Sequence, residues 1–128
     1  MSMKQKICLV YVRLISILFI IQASFGIFQK LYEGRTDDLV HNILHALIGI
    51  IGALSSFGEN KFVKSRKFLL GLSLFYFCLG LIGWFWPNPF GLIPLGVADN
   101  IFHVLVGLLS FAVYLTLGER KTGRKNEW

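Results

Sequence analysis

His41 and His45 stand four residues apart, a spacing that puts two imidazoles on one face of a helix, about 6 Å apart along its axis. The third and last histidine, His103, belongs to a second version of the same phrase. "HNILHALIG", from His41 to Gly49, is answered 58 positions later by "DNIFHVLVG", from Asp99 to Gly107. The two copies share Asn42/Asn100, His45/His103 and Gly49/Gly107. Three chemistries suit this set. His41, Asn42, His45, Asp99, Asn100 and His103 can bond to one another and fix how helices dock, as polar groups in apolar surroundings commonly do. His41, His45, His103 and Asp99 can hold a divalent ion, since imidazole suits zinc, copper or nickel. His45 and His103 can ligate a haem b iron axially, with Gly49 and Gly107 leaving room for the porphyrin. The architectural reading leads, with no cofactor expected, because bonded polar pairs in apolar segments are commoner than ligand sites.

The elements that carry these residues are strongly apolar. The chain has 128 residues, 55% of them hydrophobic and only 16% charged, whereas a soluble domain carries about 25% charged residues. A chain this short cannot hide that much apolar surface in its own core. Four apolar runs, Ile7–Phe28, Leu39–Phe57, Phe68–Trp86 and Val97–Leu117, are each near the ~20 residues a helix needs to cross a bilayer. Helix is the default there, since lipid offers backbone groups no water. The expected fold is therefore an all-α membrane protein, a single domain of four transmembrane helices over residues 1–128. The first run resembles a secretory signal, but Arg13 splits it and it exceeds the usual h-region of ~7–15 residues, so an uncleaved first span is expected.

Charge orients these spans. Lys4, Lys6 and Arg13 begin the first, Lys61, Lys64, Arg66 and Lys67 fill the middle connection, and Arg120, Lys121, Arg124 and Lys125 lie in the basic tail 118–128. Only Lys30 and Arg35 fall on the opposite side. The positive-inside rule then puts both termini in the cytoplasm, the expected setting being the cytoplasmic (inner) membrane. Tyr32, Trp84 and Trp86 fall where interfacial rings anchor at the outer ends of helices. The net charge of +6 implies anionic lipid headgroups as partners and not nucleic acid, because the basic residues flank spans and no reader motif is present. Cys8 and Cys78 lie at different depths and form no C-x-x-C pair.

The repeated phrase predicts two helical hairpins, about 7–57 and about 66–117, with the upstream helices aligning only weakly. A unit of two spans returns to its own side, so the copies are parallel repeats about an axis along the membrane normal. In each copy one face gathers small and polar residues: His41, His45, Gly49, Gly52 and Ser56, then Asp99, His103, Gly107, Ser110 and Tyr114. Gly49, Gly52, Gly107 and Ser110 are expected to be close-packing positions, where small side chains let helices approach. Asp38 and Asp99 are expected to be helix N-caps, with Asn42 and Asn100 bonding between helices.

With these motifs the chain resembles an uncharacterised bacterial family of short four-helix membrane proteins. Its members carry H-N-x-x-H-x-x-x-G in the second helix, here His41, Asn42, His45 and Gly49. A Gly/Pro-rich stretch, here "FGLIPLGVADN", leads into a fourth-helix segment with His103 and Gly107. The outer loop "YEGRTDD" departs from that pattern in being charged. The resemblance implies a fold and a membrane location without an activity. No G-x-S-x-G, H-E-x-x-H or phosphate-cradling loop occurs, so no enzyme activity is expected. The expected role is an accessory, scaffold or stress-related membrane component, as part of a homo-oligomer or larger complex, with its polar cluster near the outer leaflet. The alternatives are a haem- or metal-binding redox or sensor protein and a small oligomeric transporter subunit.

Overall fold

The computed structural model describes residues 1–117; the basic tail 118–128 lies outside the described residues. Four helices follow one another: α1 Met3–Tyr32, α2 Leu39–Ser55, α3 Lys61–Phe85 and α4 Val97–Thr116, with a short 3₁₀ turn at Pro89–Gly91 before the last. α1 packs chiefly on α2, and α3 on α4, so the chain forms two helical hairpins laid against each other.

Two helices start earlier than their apolar runs. α1 begins at a capping box, in which Gln5 N–H donates to Ser2 Oγ at 3.3 Å and Ser2 N–H to Gln5 Oε1 at 2.9 Å. α3 begins at Lys61, and its first two turns are the basic stretch "KFVKSRK". Lysine and arginine are good helix formers, so charge marks the edge of the apolar span without ending the helix. α1, α3 and α4 are long and apolar enough to cross a membrane. α2, with 17 residues, is about 26 Å long and sits at the short end of the spanning range. Only 28–39% of each spanning window is buried inside the protein, and residues such as Leu14, Phe25, Leu47 and Leu105 face outward. Such a surface suits lipid. The chain is an all-α membrane protein.

The inward faces are in matched register. α1 buries Cys8, Val12, Ile15, Ser16, Phe19 and Ala23; α3 buries Ser65, Leu69, Leu72, Ser73, Tyr76 and Gly80, each 57 positions further on. α2 buries Asn42, His45, Gly49 and Gly52, and α4 buries Asn100, His103, Gly107 and Ser110, each 58 further on. The weak residue-by-residue match of α1 with α3 therefore conceals a shared burial pattern. At the centre Phe19 and Tyr76, counterparts in this register, stack on each other with ring centroids 5.2 Å apart.

Glycine sets the spacing within each hairpin. A Cβ at Gly49 would come within 2.9 Å of Ser16 O, and one at Gly107 within 2.6 Å of Phe77 N, so backbones touch at both positions. At Gly26 and Gly83 it would collide with the side-chain amides of Asn42 and Asn100. Gly52 sits against Ser16 and Phe68. Ser110 instead bonds across the bundle, its Oγ 2.9 Å from Tyr11 Oη.

Candidate functional site

The first two turns of α2 and the second turn of α4 bring the three histidines together. His41 and His45 rings lie 4.5 Å apart between centroids, His41 and His103 5.4 Å, and His45 and His103 5.9 Å. All three are buried, with exposures of 5, 4 and 0%. One ring nitrogen from each falls within 4.8 Å of the others. Aromatic rings close the inner side: Phe19 stacks on His45 at 5.3 Å, and the Tyr76 ring meets His103 edge-on at 5.0 Å.

Hydrogen bonding at this cluster is sparse. His41 Nδ1 lies 2.9 Å from Asp38 Oδ1. A carboxylate only accepts, so Nδ1 carries the hydrogen, and in the neutral ring Nε2 keeps its lone pair. His41 Nε2 and both ring nitrogens of His45 and of His103 have no partner among the described residues. Five of six imidazole nitrogens are thus buried and unbonded. Each neutral ring must leave a donor or an acceptor unmet, at about 1–3 kcal/mol apiece.

Several expected roles change. The histidines bond neither to one another nor to Asn42, Asn100 or Asp99 among the described residues, so a mutual hydrogen-bond network is not what the geometry supplies. Asn42 Nδ2 donates to Asp38 O at 3.0 Å, within its own helix start, rather than between helices. Asn100 seats its amide against Gly83 and leaves Oδ1 unpartnered. Asp99 is the third residue of α4, not its N-cap; that place belongs to Gly96, whose N–H donates to Asp99 Oδ2 at 2.8 Å. So engaged, Asp99 is not among the groups gathered within 4.8 Å. Asp38 does precede α2, but its backbone is left-handed at φ 65° and its side chain makes no cap bond. That conformation turns the carboxylate toward His41 instead.

Asp38 as a histidine partner, and Phe19 and Tyr76 as the ring floor, escape a reading of motifs. Asp38 carried a capping signal that masked its second use. Phe19 and Tyr76 sit in featureless apolar runs, and only the 57-residue register pairs them.

Three buried imidazoles, with one ring nitrogen of each gathered within 4.8 Å, are the donor set of a three-histidine transition-metal site. Tetrahedral bonds of ~2.1 Å place ligand atoms about 3.4 Å apart, so binding would draw the rings inward by on the order of 1 Å. Asp38 on the far nitrogen of His41 is the usual outer partner of a ligating imidazole. The haem arrangement fits less well. The space at Gly49 and Gly107 is filled by α1 and α3, so neither glycine offers room for a porphyrin.

Fold and cluster together define an all-α membrane protein with a buried tri-histidine group between two hairpins. Residues 36–116 match the family described as a domain of unknown function, DUF4383, and the chain belongs to that family. The match runs from the loop before α2 to the last residue of α4 and so contains all three histidines. No curated protein and no solved structure matches the chain.

Proposed function

We propose that the chain is a non-enzymatic, metal-binding accessory protein of the bacterial cytoplasmic membrane. His41, His45 and His103 hold one divalent transition-metal ion near the outer face, tying the first hairpin to the second. The observation that carries this reading is the set of buried, unbonded imidazole nitrogens gathered within 4.8 Å. A metal would engage one nitrogen on each ring, where a purely architectural cluster would leave them unmet. The outer placement follows from the flanking cations, which put both termini inside and open α2 and α4 at the outer surface.

Purified full-length protein in detergent tests this directly. Titrated with zinc, copper or nickel, the wild type should take up one equivalent. His103→Ala, which removes the only ligand from α4, should abolish stoichiometric uptake. Asp38→Asn keeps the shape but weakens the acceptor behind His41, and should lower affinity about 10- to 100-fold. Failure of all three metals to bind the folded wild type at millimolar concentration would end the metal reading and return the cluster to a scaffold role. A Soret band lost on His45→Ala or His103→Ala would replace the metal with haem.

A further inference from the structure

A second feature lies at the opposite end of the bundle, where α1 and α3 begin and α4 ends. A cavity of about 340 Å³ there is lined by Ser2 just before α1, by Lys4 and Gln5 of α1, by Phe62, Val63, Arg66, Lys67 and Leu70 of α3, and by Tyr114 and Leu117 near the end of α4. Its chemistry is mixed. Three cations and two polar side chains share the lining with aromatic and aliphatic groups. No lining residue is acidic, and among the described residues none of these cations has a carboxylate partner.

Arg66 is held in place for a ligand. Its guanidinium lies over the Tyr114 ring, 5.0 Å from the centroid, and its Nε is buried without a partner. A guanidinium fixed by stacking keeps its remaining N–H groups oriented toward an anion, and its flat fork matches phosphate oxygens in pairs. The positive end of the α1 dipole adds to the same field. The volume is within the range of small-ligand sites. Among the groups beside the cations, half-buried Leu70 adjoins the cavity and Val63 is exposed on the outward side of α3, which offers a ligand's apolar tail a way out along the helix.

We propose that this cavity binds the phosphodiester of one anionic phospholipid, with Arg66, Lys4 and Lys67 on the phosphate and the acyl chain lying along Leu70 and Val63. The site is independent of the histidine cluster. Free inorganic phosphate shares the charged half of this chemistry but has no use for the apolar lining.

Full-length protein extracted from vesicles of equal phosphatidylglycerol and phosphatidylcholine, then read by native mass spectrometry, distinguishes these. One phosphatidylglycerol per chain should stay bound, in preference to phosphatidylcholine. Lys4→Gln/Lys67→Gln, both exposed positions on the cavity wall, should lower that retention about thirtyfold, the loss expected from two cations near a membrane surface. Lys6→Gln/Lys61→Gln makes the same charge change on the same helices outside the cavity and should retain the lipid. Equal loss in both double variants would show diffuse attraction and overturn the site, as would equal retention of the two lipids. Displacement of the lipid by millimolar phosphate would make this a soluble-anion pocket and overturn the lipid assignment.

Discussion

Each asparagine of the repeated phrase is matched to a glycine on the neighbouring helix, Asn42 to Gly26 and Asn100 to Gly83, because only a missing side chain leaves room for the amide. This predicts a specific non-additivity. Gly83→Ala should destabilise the bundle by about 1–3 kcal/mol, the usual cost of overpacking. Asn100→Ala should cost less, since its Oδ1 has no partner to lose. The double variant should recover most of the Gly83→Ala loss, and unfolding in mixed micelles would measure the cycle. Additive losses would mean that amide and glycine do not share the space. The asparagines and histidines stand out in the sequence because polar residues are rare in apolar runs. Their partners do not, since glycines are common there and nothing in the type of Gly26 or Gly83 names its neighbour.

At the scale of elements, α1 is joined to α2 by a loop clasped by charge. Asp37 receives Lys30 Nζ at 2.8 Å and Arg35 through Nε at 2.8 Å and a terminal nitrogen at 2.7 Å. The hydrogen bond from Lys30, then that from Arg35, holds the Asp37 carboxyl well below its ordinary value, at about 2. A depressed folded value means that the clasp is fully present above about pH 4 and is lost as pH falls through about 2. A carbon-detected titration of Asp37 should show that midpoint; a midpoint at the usual carboxylate value would mean that the loop is open. The same loop tests orientation. With Cys8 and Cys78 replaced, single cysteines at Arg35 and Asn88 should react with an impermeant thiol reagent in intact cells, while one at Lys64 should not. Reaction at Lys64 alone would reverse the proposed topology. Helix number and centres follow directly from the apolar runs. Helix starts do not, because the capping box at Ser2 and the basic turns of α3 lie outside those runs. Nor do those runs reveal that Arg13 ties α1 to the end of α2, donating to Ser56 O at 3.1 Å and covering the Phe57 ring.

At the scale of the molecule, the halves meet through like positions. Phe19 and Tyr76 occupy the same register in α1 and α3, and they touch each other. A surface that meets its own counterpart is what a two-fold interface requires, and subunits of a C₂ dimer meet in this way. The linker from Ser56 to Asn60 therefore works as a tether between two near-copies of a single subunit. Cut there and expressed as two polypeptides, the hairpins should reassemble, and copurification of a tagged first half with an untagged second half would show it. The second half alone should form a homodimer, pairing Tyr76 with Tyr76. The same logic exposes a hazard. Shortening the tether until its ends no longer reach should not unfold the protein but exchange partners between chains, so that the histidines of one molecule complete the cluster of another.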